Sequence, residues 1–415
     1  MRLVLWHGYL LEGTGSNIYT QHVARAWGRL GHEVVLICQE PRPELFDLGP
    51  NVHVVVPDVG PLLPVFVLDR YEGIEARHVA DLTAAELDLF VARNAAAVAA
   101  AHGGRADLVL ANHVLMGGPV AARACATGTP HAVKIHGSEL EYAIRGRPSL
   151  AAAAAASLAG VSALFAGSGH IVEVTEELLG RGLHDRMHIV PPGVDTDAFR
   201  PDGGNLEALV GLLRADRASQ QPGRPPERAP DPDAGERLAG LGPFVLYFGK
   251  LMRQKGVHLL LEAWGRLAPR FPETTLVVVG FGDARAELEA SAPERTIFTG
   301  AMDHDHLHLL VPLADAVVVP SVLPEAFGMV AAEAAACGVI PVVARHSGLA
   351  EVADGLGSSG VTFDGTASDL EARLDLLLSL PQATRREMGL AARAAVVERW
   401  SWEGIARRLV EISLG

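Results

Sequence analysis

The sequence predicts an α/β protein built from two doubly wound parallel sheets, one after the other along the chain. Short apolar segments alternate with segments of helical periodicity, as in parallel sheets covered by helices on both faces. The alternation is interrupted at residues 202–242, which are dense in Pro, Gly, Arg and Asp, and then restarts. The length of 415 residues exceeds what one ordinary core accommodates and fits two or three domains.

The first half supplies one predicted sheet. Residues 3–6 (LVLW) form the first strand, and a helix follows whose apolar face carries Tyr19, Val23 and Trp27. Gly31 ends this helix, and residues 33–37 (EVVLI) begin the second strand. Further strands are predicted at residues 52–56, 107–111, 131–136, 161–167 and 187–190.

The second half repeats the pattern after a segment that has little to bury. The run RASQQPGRPPERAPDPDAGER favours a surface insertion or linker. Strands are then predicted at residues 244–248, 275–280, 296–299, 316–319, 340–344 and 361–363. Ligands bind beyond the carboxyl ends of parallel strands, so a site is expected at those ends, in a cleft between the two domains.

Composition excludes several functional classes. A hydrophobic content of 49% and a charged content of 20% are typical of soluble globular proteins. The net charge of −14 argues against binding to nucleic acid or to an anionic membrane. The cysteines Cys38, Cys125 and Cys337 lack metal-type spacing and fit a reducing compartment. With no signal peptide or membrane-spanning run recognised, a cytoplasmic location is expected.

The most informative stretch is residues 320–338, PSVLPEAFGMVAAEAAACG. It follows the predicted strand at residues 316–319, so the order is strand, loop and helix start. Glu325 falls on the loop, and Glu333 falls two turns into the Ala-rich helix. The free N–H groups of a helix start favour an anion near Gly328. These features together predict a site for a phosphorylated sugar, with amides for phosphate and carboxylates for hydroxyls.

Five segments occur in a fixed order that resembles a known family. They are VPPGVDTDAFRP, FGKLMRQKGVHLLLEAW, LVVVGFGDARAEL, FTGAMDHDHLHLLVPLADAVVVPS and PEAFGMVAAEAAACGVIPVVARHSGLAEV. This set resembles the retaining, nucleotide-sugar-dependent glycosyltransferases with the GT-B fold (family 4 type). The resemblance implies an acceptor-side domain at 1–200, a linker or insertion at 201–242, a donor domain at 243–398 and a helix at 399–415 that returns to the first domain.

The resemblance assigns donor-binding roles in the second half. Lys250 and Lys255 match the family's basic pair for the diphosphate, although Lys250 stands where Arg is usual and lacks its bidentate fork. Glu325 matches the glutamate beside the transferred sugar, and Glu333 matches the one that accepts hydrogen bonds from the ribose. Backbone groups of the loop and helix start are expected to meet the sugar and phosphate, with a base-binding turn at Gly300; the loop and helix residues are Phe327, Gly328, Met329 and Val330.

In the first half, residues 13–17 (GTGSN) lie between the first strand and the first helix. A G-x-G alone is a weak nucleotide signal, but by resemblance Gly15 gives its amide to the diphosphate. His136 follows a predicted strand and matches the family's catalytic histidine, so Glu325, Lys255 and His136 form the expected catalytic set. Acceptor contacts are assigned to Asn17, Lys134 and Arg145.

The run of Asp and His residues at 303–308 resembles a metal cluster by composition. Its members alternate along a predicted helix and therefore point in different directions. The family is metal-independent, so no metal ion or cofactor is expected, and the diphosphate is expected to be held by lysines and amides.

The predicted function is retaining transfer of a hexose-type sugar from a nucleoside diphosphate sugar to the hydroxyl of an unidentified small-molecule acceptor. A UDP-sugar is the first expectation for the donor, and GDP-mannose is the alternative. A sugar-nucleotide 2-epimerase of the same fold and a binding protein without turnover remain competing interpretations, while NAD-dependent oxidoreduction lacks the full glycine fingerprint. The sequence leaves the acceptor, the pathway and the oligomeric state open.

Overall fold

A computed structural model describes residues 1–11, 14–60, 62–66, 75–125, 128–219 and 229–415. The chain divides into two compact units. The first comprises Met1–Gly193 together with Trp402–Gly415, and the second comprises Val194–Ser401. Each is an α/β unit with a parallel sheet, so the predicted fold class is confirmed.

The first unit contains a seven-stranded sheet in the order β3-β2-β1-β6-β7-β8-β9, with every neighbouring pair parallel. The strands are β1 Arg2–Trp6, β2 Glu33–Ile37, β3 Val52–Val55, β4 Leu62–Val65, β5 Glu75–His78, β6 Leu108–Asn112, β7 His131–Lys134, β8 Ala163–Ala166 and β9 Met187–Ile189. The helices are α1 Gly15–Arg29, α2 Ala84–His102, α3 Gly117–Ala124, α4 Pro148–Ser157 and α5 Gly169–Leu179, and a short π-helix spans Glu139–Ile144.

Apolar strands explain this sheet. Strands β1 and β6 lie at its centre, and Leu3, Leu5, Leu108 and Leu110 are fully buried. Strands β4 and β5 form a separate two-stranded parallel sheet that the sequence did not predict. The polar sequence EARH of β5 carries no strand pattern, so nothing in its composition marked it.

The second unit contains a six-stranded parallel sheet in the order β12-β11-β10-β13-β14-β15. Its strands are β10 Phe244–Phe248, β11 Thr275–Val279, β12 Thr296–Phe298, β13 Ala316–Val319, β14 Pro341–Ala344 and β15 Val361–Phe363. Its helices are α6 Leu206–Ser219, α7 Ala234–Leu238, α8 Val257–Leu267, α9 Arg285–Ala290, α10 His304–Leu310, α11 Met329–Ala336, α12 Ser347–Gly355, α13 Ala367–Ser379 and α14 Gln382–Trp400.

Residues 201–242, predicted as a linker or insertion, contain two helices in their described part. Helices α6 and α7 lie inside that range and belong to the second unit. Leu209, Ala234 and Leu238 are fully buried in its core. The prediction extended the Pro-rich character of the middle of this segment to its two ends. At those ends, however, apolar residues at helical spacing are buried. Residues 220–228 lie outside the described part of the chain.

The chain leaves the first unit after Gly193 and returns to it at Trp402. The last helix, α15 Trp402–Leu414, packs on α1, where Trp27 donates its indole N–H to the carbonyl of Ala406 at 3.0 Å. The return predicted at residue 399 therefore occurs three residues later. Trp400 stays in the second unit, with its ring 5.3 Å from that of Phe327.

Within the described ranges, no helix has the length and apolar character needed to span a membrane.

Candidate active site

The second unit has its topological switch point between β10 and β13. These strands are neighbours in the sheet, but β11 and β12 intervene in the chain. The loops after β10 and β13 therefore leave from the same edge in opposite directions, which opens a crevice at the carboxyl ends of the strands. Lys250, Lys255 and Glu325 lie on these two loops.

The two loops are joined by an ion pair. The ammonium group of Lys255 bonds to the carboxylate of Glu325. The Ser321 hydroxyl donates to the same carboxylate oxygen at 2.6 Å. The backbone N–H of Glu325 donates to the Ser347 hydroxyl at 2.9 Å, so the residue is fixed from both sides. The two charges that the resemblance assigned separately to the diphosphate and the sugar are thus paired with each other.

Gly256 permits this approach of the loops. Its φ of 69° lies in the left-handed region, and a Cβ there would stand 1.8 Å from the carbonyl oxygen of Pro320. A side chain at this position would push the loops apart. Lys250 has an exposed side chain, so its charge faces solvent.

Helix α11 begins at Met329, where the sequence predicted a helix start. Gly328 is the N-cap residue with a φ of 118°, and Met329 is the first helical residue. The N–H groups of Met329 and Val330 belong to the first turn, which has no intrahelical acceptors. The ring of Phe327 is buried against Trp400, so Phe327 can offer only its backbone to a ligand.

Glu333 lies in the second turn of α11 and is 4% exposed. Its Oε1 is 2.8 Å from Nε2 of His304, the first residue of α10. Burial disfavours a charge on His304, but the carboxylates of Glu333, Asp305 and Asp195 together outweigh it and raise the pKa of His304. Sequence analysis missed this partner because 29 residues separate the two side chains.

The turn at Gly300 is paired with another part of the chain. Gly300, with a φ of 74°, forms an antiparallel bridge with Pro230. Asp231 donates its backbone N–H to the carbonyl of Thr299 at 2.8 Å, and Ala301 donates to the carbonyl of Ala229 at 3.2 Å. The predicted base-binding turn therefore has one edge covered by residues 229–231, and the amide of Ala301 is already used.

The Asp and His run at 303–308 forms no metal cluster. Across the described ranges, no three His, Cys, Asp or Glu side chains come together as candidate ligands for a metal ion.

The first unit has its own switch point, between β1 and β6, and three histidines gather at this edge. The ring centroids of His113 and His136 are 4.5 Å apart, and those of His7 and His113 are 6.0 Å apart. His136 Nε2 is 2.9 Å from Oδ1 of Asn112. Burial lowers the pKa of His7 to about 4 and holds the pKa values of His113 and His136 well below the usual range. These imidazoles are therefore neutral at neutral pH.

Glu139 fixes the loop that carries His136. Its Oε1 accepts the backbone N–H of His136 and its Oε2 accepts that of Leu115, each at 3.1 Å. His113 Nδ1 lies 3.8 Å from the same Oε1. Glu139 is fully buried, and burial raises its pKa to about 7 against the effect of the amides. Sequence analysis missed this role, although Glu139 lies only three residues after His136, because no motif marks a buried acid that binds two loop amides.

The glycine-containing loop of the first unit is partly described, since Gly13 lies outside the described ranges. Gly15 begins α1 and is exposed, and a Cβ there would meet nothing within 4 Å. Among the described residues, neither backbone strain nor packing demands glycine at this position. Asn17 is buried, with Oδ1 2.9 Å from Nε2 of His7.

Two residues assigned to the acceptor, Lys134 and Arg145, have side chains that bond within the protein. Lys134 is 2% exposed, and its ammonium group donates to the carbonyl of Val190 at 2.6 Å. Burial lowers its pKa to about 7, so it is no surface cation. Arg145 is exposed, but its guanidinium bonds to Glu141 and Glu177, each at 2.7 Å. The charge of each residue is thus already engaged by the protein.

Comparison with known proteins agrees with this architecture. Residues 14–193 match the family described as "Glycosyl transferase 4-like domain", and residues 234–395 match "Glycosyl transferases group 1". A D-inositol 3-phosphate glycosyltransferase of Xylanimonas cellulosilytica is 29% identical over 427 residues, 97% of this chain and 91% of the relative. A GDP-mannose-dependent alpha-(1-6)-phosphatidylinositol monomannoside mannosyltransferase of Mycolicibacterium smegmatis is 32% identical over 243 residues, 54% of this chain; the match spans about half of that relative, 56%.

Solved structures share the fold. The Anabaena protein HepE in complex with UDP and glucose has a TM-score of 0.69 at 18% identity, with 99% of this chain and 98% of that chain covered. Sucrose-phosphate synthase from Thermosynechococcus elongatus has a TM-score of 0.66 at 19% identity, with 99% and 97% covered. The two matched domains, the relatives and the fold define a class of sugar-transferring proteins. The chain belongs to the GT-B glycosyltransferases of the family 4 type.

Proposed function

We propose that this protein is a retaining, metal-independent glycosyltransferase that moves a hexose-type sugar from a nucleoside diphosphate sugar to a hydroxyl acceptor. The observation that carries the proposal is the grouping of Lys255, Glu325 and the start of α11 at the switch point of the second sheet. One cation and free helix amides suit a diphosphate, and nearby carboxylates suit the hydroxyls of a sugar and a ribose.

Each proposed role follows from the chemistry of the leaving group. Breaking the bond between sugar and phosphate builds negative charge on the diphosphate, which Lys255 and the first-turn amides of α11 would stabilise. Glu325, released from Lys255 by the incoming phosphate, would bind a sugar hydroxyl. Glu333 would accept hydrogen bonds from the ribose. His136, neutral and held through Asn112 and Glu139, would donate or accept one hydrogen bond to the transferred sugar without adding charge.

A UDP-sugar is the proposed donor, with GDP-mannose as the second candidate. HepE, which shares the fold, was solved in complex with UDP and glucose. GDP-mannose dependence appears in the name of the mannosyltransferase of M. smegmatis, which is 32% identical to this chain over the matched part. The two comparisons therefore differ in the nucleotide base of the donor: HepE supports uracil, and the mannosyltransferase supports guanine.

A thermal-shift panel of UDP, GDP, ADP and their sugars tests donor binding. A ligand at 100 times its dissociation constant stabilises the folded state by about 2.7 kcal/mol, which corresponds to roughly 5–10 °C for a unit of this size. We expect UDP and a UDP-sugar to give this shift; a shift with GDP alone selects the mannosyl donor. If no nucleoside diphosphate raises the melting temperature, the proposal is wrong.

Turnover separates transfer from epimerisation. A glycosyltransferase releases free nucleoside diphosphate in proportion to the acceptor consumed, whereas a 2-epimerase changes the sugar nucleotide without any acceptor. Incubating the bound donor with a panel of hydroxyl acceptors, and following donor and diphosphate by chromatography, distinguishes the two. Conversion of the donor at the same rate with and without acceptor would favour the epimerase.

A further inference from the structure

The run DHDHLH at residues 303–308 contains one side chain that the proposed function leaves unexplained. His304 begins α10, and its Nε2 lies 2.8 Å from Oε1 of the buried Glu333 on α11. The imidazole packs against the ring of Phe199 with 5.3 Å between centroids. The side chain of His304 is 32% exposed, whereas that of Glu333 is 6% exposed. His304 is thus held on one side by an aromatic ring and on the other by a carboxylate.

A carboxylate in this environment needs an ordered partner. Glu333 is 4% exposed, and a buried carboxylate loses hydration that hydrogen bonds must replace. The acidic groups around His304 come from three segments: Glu333 on α11, Asp305 on α10, and Asp195 at the start of the second unit. All three favour a positive imidazole, and a charge-assisted bond from it fixes one oxygen of Glu333.

We propose that His304 is a positioning residue for nucleotide binding: it holds Oε1 of Glu333, so that the carboxylate is oriented to accept hydrogen bonds from the ribose hydroxyls. The inference rests on the proposed function, because it assigns Glu333 to the ribose. It accounts for a histidine that composition alone placed in a metal cluster. It also predicts that the effect of His304 on affinity depends on the presence of those hydroxyls.

The test compares a variant that cannot donate a hydrogen bond with one that can. His304→Met fills similar space without a donor, whereas the amide nitrogen of His304→Gln can take the place of Nε2. His308→Met, on the same helix, is the matched control because, among the described residues, His304 and not His308 is hydrogen-bonded to Glu333. Should the methionine variant fail to fold, His304→Ala provides the same comparison.

Affinities are measured by calorimetry with UDP and GDP, and with the 2′,3′-dideoxy form of whichever binds. We expect His304→Met to weaken the ribonucleotide roughly tenfold, the equivalent of one net hydrogen bond, and to change the dideoxy affinity less than about twofold. His304→Gln should recover most of the loss, and His308→Met should match the wild type. In a Glu333→Ala background, His304→Met should have no further effect.

The outcomes distinguish failure of the proposed function from failure of the positioning role. If the wild-type protein binds neither nucleoside diphosphate, the proposed function fails, and the inference fails with it. If the wild type binds but His304→Met is unchanged, or loses ribo- and dideoxynucleotide affinity equally, only the positioning role of His304 is overturned. Failure of His304→Gln to recover affinity would also contradict a role carried by the Nε2 hydrogen bond.

Discussion

Glu139 joins two loops of the first unit through a single carboxylate. One oxygen accepts the N–H of His136 and the other accepts that of Leu115. Only the ionised carboxylate can accept a hydrogen bond on each oxygen without placing an O–H group opposite one of the two amides. The position of His136 therefore depends on the ionisation of a buried acid whose pKa is raised to about 7.

Glu139→Gln should lower kcat and remove an acidic limb from the pH profile. In the wild type, protonation of Glu139 as the pH falls through about 7 puts an O–H opposite one of the two amides, which loosens the loop of His136. Glutamine places an NH₂ group there at every pH. The measurement is kcat and KM from pH 5.5 to 8.5, and Glu141→Gln, on the same short helix, is the control.

Ionisation of Glu139 is expected to have opposite effects on stability and activity: it lowers the free energy of unfolding but supports kcat. Because the folded-state pKa of Glu139 lies above the ordinary value of 4.5, this group favours folding most below pH 4.5, and the benefit is lost as the pH rises through about 7. A Glu139→Gln protein with an unchanged pH profile of kcat would contradict the role given to this carboxylate.

At the level of single residues, sequence motifs identified candidate site residues but not the side chains to which those residues are bonded. Lys255, Glu325, Glu333 and His136 were assigned because the motifs that carry them resemble those of the family. The run that contains His304 was set aside as a metal cluster because its members alternate along a helix. The link from His304 to Glu333 was missed because it depends on packing between residues 29 positions apart in the sequence. Burial, which changed the interpretation of Lys134, has no local sequence signature in a strand that carries a single lysine.

The elements of both sheets were largely predictable because strands buried on both faces are uniformly apolar. Strand β13, AVVV, is fully buried and lies at the residues expected. The exceptions were β4 and β5, which form the separate two-stranded sheet, and α6 and α7, which adjoin a Pro-rich run. In both cases tertiary contacts determine the structure that local composition does not favour.

The first turn of α11 depends on glycine at its N-cap. Gly328→Ala should lower the melting temperature and weaken nucleoside diphosphate binding, because φ is 118° and the added Cβ would stand 2.7 Å from Cδ2 of Leu349. The expected loss of stability is about 1–3 kcal/mol. Calorimetric unfolding and a UDP titration measure the two effects.

Gly211→Ala is the matched control for Gly328→Ala. Gly211 lies in α6 and is exposed, and an added Cβ would meet nothing within 4 Å. Alanine there should stabilise the protein by up to about 1 kcal/mol, because glycine is the poorer helix former. Equal behaviour of the two variants would show that the conformation of Gly328 is unimportant.

In the segment between α6 and α7, replacement of residues 220–228 should be tolerated, whereas replacement that includes Asp231 should destabilise the protein. Exchanging residues 220–228 (QQPGRPPER) for a Gly/Ser segment of equal length should leave the melting temperature nearly unchanged, since no large apolar side chain is lost. Extending the exchange through Asp231 should cost about 1–2 kcal/mol. Asp231 bonds to Arg237 at 2.8 Å and to Arg285 at 2.6 Å, and both contacts disappear.

Unfolding in urea measures both replacements, with the first as the control for the second. Two equal midpoints would mean that the pairing of residues 229–231 with the Gly300 turn adds nothing to stability. Deleting all of residues 215–235 is expected to destabilise the protein, because Ala234 in that range is fully buried.

At the scale of the whole molecule, the fold places two switch points in one chain, one in each unit. The first gathers neutral histidines, and the second gathers a lysine, two glutamates and a helix start. If the proposed function is correct, Lys255 and the helix-start amides at the second edge would supply the field that a divalent ion would otherwise provide for a diphosphate.

Turnover should therefore persist in EDTA, and an α-linked donor should give an α-linked product. Retention of the anomeric configuration is expected from the family resemblance. Turnover in EDTA is expected because Lys255 and the helix-start amides are proposed to hold the diphosphate. Proton NMR of the product reports the anomeric coupling, and the same reaction run with added Mg²⁺ is the control. A β-linked product would exclude the retaining mechanism, and loss of turnover in EDTA would show that a cation is needed.

A nucleoside diphosphate is expected to bind at the carboxyl edge of the β10–β15 sheet, and every role proposed for the second unit depends on it. Calorimetric titration of UDP and GDP in EDTA tests this most directly, using wild type, Lys255→Ala, Glu333→Ala and the control Arg253→Ala, whose side chain is 81% exposed on the same loop. Each lost charge-assisted contact contributes about 1.5–3 kcal/mol, so Lys255→Ala and Glu333→Ala should bind roughly 10- to 150-fold more weakly, with Arg253→Ala unchanged. No binding by the wild type, or equal affinities across all four proteins, would contradict this placement of the donor.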